Sequence, residues 1–199
     1  MTITLHQPLP DGTWRPEDIE STEPLNYEIL DGNLVLMWPV KSLWHQTLIL
    51  EIAAALHNAA PEGYRARPEL TIGYFRPGAK KETLREPDVV VLRPGADARS
   101  GNVFDPRDVA LAVEVESPST AAIDRLDKVG EYARAGVQAY WRVEQTTDNG
   151  AIVHVYEIDE VSGRYGLVRS IGPMDSFLMR VPYQVMIDPA TMTASLLKR

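Results

Sequence analysis

Apolar residues recur along most of this chain with a period of two, in short runs, and twice the period changes to that of a helix. "YEILDGNLVLMWP" (27–39) carries two apolar runs around Asp31-Gly32, the signature of a hairpin turn. Ser42 is placed to cap a helix over 43–59, whose apolar face is Trp44, Leu48, Ile52, Ala55 and Leu56; Pro61 and Gly63 stop it. Three strands are then predicted: "ELTIGYF" (69–75), alternating at Leu70, Ile72 and Tyr74, "PDVVVL" (87–92) and "ALAVEVE" (110–116). The unbroken β-branched run of the second reads as a central strand covered on both faces.

A second helix is predicted over 120–135, capped by Ser119 or Thr120 and ended by Gly136. Leu126, Val129 and Ala133 form its expected core stripe, and Asp124, Lys128 and Tyr132 a different one. "AYWRVE" (139–144) pairs with "AIVHVYEI" (151–158) across a Thr-Asp-Asn-Gly turn, and "RYGLVRS" and "FLMRVPYQVMI" read as further short strands. Residues 1–24, with four prolines, read as an irregular arm, and 25–199 as one domain. The order helix, three strands, helix, strand predicts a mixed α/β (α+β) sandwich. With no glycine-rich phosphate loop after any strand, a doubly wound Rossmann fold is not expected.

"LAVEVESPST" (111–120) breaks the pattern. Alternation puts Glu114 and Glu116 on one face of an apolar strand, about 7 Å apart. If strands 87–92 and 110–116 pair antiparallel, Asp88 meets Glu114 or, as the second choice, Glu116. Converging carboxylates need a counter-charge, and a hard divalent cation such as Mg²⁺ takes oxygen ligands of this kind. Lys128 lies on the helix stripe that can face the sheet. Carboxylates, a cation and a lysine are the parts of metal-assisted phosphodiester hydrolysis.

Composition narrows the setting. The 199 residues are 44% hydrophobic and 24% charged, ordinary globular values. No apolar run is long enough for a membrane span, the N-terminal residues show no secretory pattern, and zero cysteines suit a reducing cytoplasm. A net charge of −8 opposes indiscriminate nucleic-acid binding. Residues 64–85 nevertheless carry Arg65, Arg67, Arg76, Lys80, Lys81 and Arg85 against Glu69 and Glu82, an excess that could meet a polyanion or be a solvated loop face.

"PDVVVL" followed by "LAVEVESPSTAAIDRLDKVGEYARAGVQAYWRVE" resembles the Uma-two family of endonucleases in the PD-(D/E)XK nuclease superfamily. The upstream "YEILDGNLVLMWP…H" and the closing "VHVYEI…GRYGLV" extend the resemblance over roughly 25–188. It implies a restriction-endonuclease-like αβββαβ core with extra N- and C-terminal strands and a DNA-cleaving activity dependent on Mg²⁺ or Mn²⁺. Asp88 and Glu114 match the metal-binding acids, and Lys128 a lysine carried on the helix. Glu116 stands where the superfamily's usual lysine would be and this family shows an apolar residue; it would add a metal ligand or weaken the nuclease. Glu28 matches the acid of a "YE-x-x-DG" segment and His45 a histidine at the start of the first helix. The carbonyl of Val115 is expected to complete the metal ligands, and the helix start after Ser119 to face a phosphate. A homodimer is expected, because cutting a duplex takes two sites.

Each residue also has a plainer reading. Asp88 can be a turn residue, Glu114 a partner of Arg142, Lys128 an ion-pair partner of Asp124, and Glu116 a cap of the Ser-Pro-Ser-Thr turn. Glu28 can be a surface residue of the hairpin, and His45 an ordinary first-turn residue. Trp38, Trp44, Tyr140 and Trp141 read as core. A glycosidase pair of Glu114 and Glu116 lacks a row of sugar-binding aromatics. The remaining alternative is a catalytically silent binding or scaffold module on the nuclease fold.

Overall fold

In the computed structural model, the residues described are 3–5, 12–14, 18–21, 27–36, 42–76, 78–99, 102–116 and 128–197. Strand β1 (Ile3–Leu5) pairs antiparallel with β2 (Ile19–Ser21), so the arm read as irregular holds a small sheet. Its four prolines fall outside the two strands, and composition alone concealed the β-branched segments between them.

β3 (Tyr27–Leu30) and β4 (Asn33–Leu36) form the predicted hairpin. Asp31 (φ 49°) and Gly32 (φ 78°) both take the left-handed conformation that a tight two-residue turn requires. Helix α1 (Leu43–Ala59) starts at Ser42, whose hydroxyl accepts the His45 N–H at 3.2 Å, and buries Trp44, Leu48, Ile52 and Leu56.

The next strands depart from expectation. The segment 69–75 yields only β6 (Ile72–Phe75), because Glu69 at φ 52° breaks the extended chain. In its place β5 (Arg65–Pro68) joins the main sheet, and a further strand, β7 (Glu82–Arg85), pairs with β3 and β6. β8 (Val89–Leu92) and β9 (Val109–Val115) are buried throughout and pair antiparallel, as predicted. Helix α2 (Val129–Ala135) ends at Gly136 (φ 93°); the expected residues 117–127, with Ser119, Asp124 and Leu126, lie outside the described set. β10 (Ala139–Gln145), β11 (Ala151–Asp159), β12 (Arg164–Ile171), β13 (Phe177–Met179), β14 (Val185–Ile187) and α3 (Pro189–Thr193) complete the chain.

The main sheet runs β12-β11-β10-β9-β8-β5, with β9 and β10 parallel and every other pair antiparallel. A parallel pair needs a crossover, and α2 lies in it. On one face Val89, Val91, Leu111, Val113 and Trp141 pack against α1 and the β13–β14 hairpin. On the other, Val90, Ala112 and Tyr140 pack with Tyr132 of α2. The smaller sheet, β4-β3-β7-β6, brings Glu28, Tyr74 and Arg85 to α2 through their bonds to Lys128 and Glu131. Among the described residues no helix is long and apolar enough to cross a membrane.

Candidate active site

The pair Val89–Val113 sets the next residues, Asp88 and Glu114, beside each other at the end of β8 and β9. An Asp88 Oδ2 accepts the Val115 N–H at 2.8 Å and lies 3.5 Å from His45 Nε2 of α1. Asp88 therefore does more than open a strand. It ties β8 to β9 and both to the first helix. The other ring nitrogen of His45, Nδ1, is buried without a hydrogen-bond partner.

Glu114, 4% exposed, receives the Lys128 ammonium at 2.9 Å and the Tyr132 hydroxyl at 2.7 Å, both on one Oε1. Lys128 and Tyr132 are four apart, so one helix face delivers both. That stripe faces the interior. Tyr132 is fully buried and Ala133 is buried too, whereas Val129 of the expected core stripe is only half-buried. Burial, then the nearby charges of Glu114 and Glu28, push the Tyr132 phenol well above its ordinary value, so it stays a donor.

Behind this pair stands a second layer, of which sequence reasoning had singled out Glu28 but not Arg85 and Glu131. Glu28 lies 3.9 Å from Lys128 Nζ and accepts from Arg85 at 2.5 Å. Arg85, 2% exposed, also holds Glu131 of α2 through two bonds of 2.6 and 3.2 Å. Glu131 accepts from Tyr74 as well and is met at 3.0 Å by Arg76, which reaches Asp31 of the hairpin turn at 3.2 Å. Arg85 had counted toward the basic excess of 64–85; it is an interior charge, while Arg65 and Arg67 lie exposed on β5. Its one sequence signal is its place next to Glu86-Pro87-Asp88. Burial alone would raise the Glu131 carboxyl; the hydrogen bonds and charge of Arg85, with Tyr74 and Arg76, outweigh this and hold it below its ordinary value. A depressed carboxyl contributes stability above its unfolded pKa, about 4.3, and that contribution is lost as pH falls through the folded value. Urea unfolding is thus expected to show stability falling from pH 6 toward pH 3, with a shallower fall in Glu131→Gln.

Glu116 and Arg142, both buried, form an ion pair, and Arg142 also reaches Glu144 at 3.2 Å. Arg142 is the register neighbour of Glu114 on β10, yet its guanidinium goes to Glu116. The register continues from Arg142 to His154 and from His154 to Ser170, a polar row across four strands. Trp44, Tyr140 and Trp141 are core residues; Trp38 and the helix start after Ser119 lie outside the described set.

Among the described residues no three His, Asp or Glu side chains are grouped to hold a metal ion. Asp88 and Glu114 supply two carboxylates, and Val115 lies next to both. Hard oxygen donors in this number suit Mg²⁺, which commonly takes one or two carboxylates and keeps water or phosphate at its other positions.

A six-stranded mixed sheet with a helix packed on each face is a restriction-endonuclease-like fold. The chain belongs to the Uma2 family, described as "Putative restriction endonuclease", which matches residues 10–178. A similar solved structure is a protein of Anabaena variabilis ATCC 29413, described as "a putative nuclease belonging to DUF820"; it has 17% identity, covers 86% of this chain and 91% of its own, and has a TM-score of 0.62. Its likeness is one of fold. No curated protein matches.

Proposed function

We infer that this protein is a divalent-cation-dependent endonuclease that hydrolyses phosphodiester bonds of DNA. The observation that carries the reading is the convergence of Asp88, Glu114 and Lys128, buried together at one end of β8 and β9. Asp88, Glu114 and the Val115 carbonyl would hold Mg²⁺ or Mn²⁺. The cation would polarise the phosphate and acidify a bound water.

The chain's own residues do the rest. An ammonium carries three N–H donors, so Lys128 can hold Glu114 and also donate to a phosphoryl oxygen or orient the attacking water. Tyr132 fixes Glu114 from the same helix face, and His45 and the Val115 N–H fix Asp88. Glu28 faces Lys128 at 3.9 Å and steadies its charge without a close bond. Two copies acting together, one per strand, would account for cutting a duplex. The cysteine-free composition suits a cytoplasmic setting.

The test is a cleavage assay on supercoiled, linear, nicked and single-stranded DNA and on RNA, with Mg²⁺, Mn²⁺ or EDTA, and with sedimentation of the same sample. Metal-dependent cleavage of a DNA form, stopped by EDTA and by Glu114→Gln, is expected. Absence of cleavage on every substrate would overturn the reading and favour the silent binding module; cleavage indifferent to EDTA would overturn the metal-dependent mechanism.

A further inference from the structure

Two acids stand on one face of β9, and the fold treats them differently. Glu114 is bound by Lys128, the residue that precedes α2, and by Tyr132 of α2. Glu116, 7% exposed, is bound by Arg142, an equally buried residue of the neighbouring strand β10. The backbone fixes this division: the Glu116 N–H donates to the Val143 carbonyl at 2.8 Å, so the two strands are locked in register where the ion pair forms. Arg142 reaches both Glu116 and Glu144 through Nη1 and also meets the Tyr156 side chain, while its Nε is buried without a partner. A guanidinium held this way, at some cost in unmet donors, is directed at the Glu116 carboxylate and away from Glu114, its register neighbour.

We propose that Arg142 is a positioning residue that holds the Glu116 carboxylate away from the cation bound at Asp88 and Glu114. The inference rests on the metal-dependent reading above. Alternation leaves Glu116 about 7 Å along the strand from Glu114, within reach of a flexible glutamate side chain. Two carboxylates already balance a divalent cation; a third would leave the centre with a net negative charge, which repels a phosphate, and would occupy a coordination place that water or phosphate needs. Arg142 matches the charge of Glu116 and leaves the centre with two acids. The residue that departs from the family pattern is thereby made compatible with a working site.

The experiment measures Mn²⁺ binding by titration calorimetry, with far-UV circular dichroism as the folding check. The samples are the parent, Glu116→Gln, Arg142→Gln, Arg142→Lys and the double variant Glu116→Gln/Arg142→Gln. Glu116→Gln is expected to bind Mn²⁺ as the parent does. Arg142→Gln is expected to bind it roughly tenfold tighter, the range over which supporting groups tune a metal site, or to take a second ion. The double variant and Arg142→Lys return to parent behaviour. Loss of binding in Glu116→Gln would make Glu116 a ligand and overturn the proposal. So would a folded Arg142→Gln that is less stable yet binds Mn²⁺ unchanged, since that is a structural ion pair alone. If Arg142→Gln does not fold, Glu116→Gln remains the arm that can overturn the proposal. A parent that binds no Mn²⁺ would instead defeat the metal-dependent reading itself.

Discussion

Arg85→Ala is expected to destabilise the protein by about 3–5 kcal/mol, the usual consequence of removing one partner from a buried ion pair. The size follows from what is left behind. Glu28 and Glu131 would remain buried, 6% and 2% exposed, with Lys128 to answer the first and Arg76 and the Tyr74 hydroxyl the second. Arg85 is also the joint between β7 of the small sheet and α2 over the large one. Arg85→Lys keeps a charge but not the two-pronged bond to Glu131, so an intermediate loss is expected. Urea denaturation of both variants at pH 7 measures this. A loss below 1 kcal/mol in Arg85→Ala would show that Arg85 is not what holds the small sheet to α2.

The second large effect concerns cleavage. Lys128→Ala is expected to lower the cleavage rate roughly 10²–10³-fold, the loss typical of removing one charge-stabilising donor from a catalytic centre. Its metal response should move the other way. Lys128 is already a counter-charge for Glu114, at 2.9 Å in a site only 5% exposed. Without it, Glu114 and Glu28 lose the ammonium they share and Glu114 stands beside Asp88 with less compensation, so the cation gains importance for the fold. The rise in melting temperature on adding Mn²⁺ should therefore be larger in Lys128→Ala than in the parent, through binding to the folded state. Thermal melts with and without Mn²⁺ and a single-turnover assay separate the two roles. An unchanged cleavage rate would remove Lys128 from the mechanism.

Those parts of the site that depend on strand alternation and helix spacing were legible in the sequence. Val89–Leu92 is apolar without interruption, so its central position and its pairing with β9 followed, and with them the meeting of Asp88 and Glu114. Helix spacing put Lys128 on one stripe with Tyr132, and the family resemblance chose it over an ion pair with Asp124. The supporting layer was not. β5 and β7 are four residues each and mostly polar, and neither has an apolar period to read. Arg85 looked like one more cation in a basic loop, because charge counts do not reveal which charge turns inward. Glu131 looked like an ordinary helix acid until the small sheet supplied Arg85 and Tyr74. The partner of Glu116 was missed for a related reason. Arg142 had been considered for Glu114, its register neighbour, and only side-chain direction reassigns it to the next acid.

The docking of the small sheet on α2 has a consequence for how the protein ages and fails. From β9 to β12 the main sheet is built of segments close together in sequence, a topology that can form early and persist. Glu28 and Arg85 come from a different sheet, reached over a long sequence separation, and meet α2 through charges that water competes for. Local opening at that seam would free Lys128 and Glu131 while leaving the strands paired. Heat or acid should then silence the proposed catalytic centre in molecules whose β-structure is still intact, and activity would return on cooling by redocking instead of refolding.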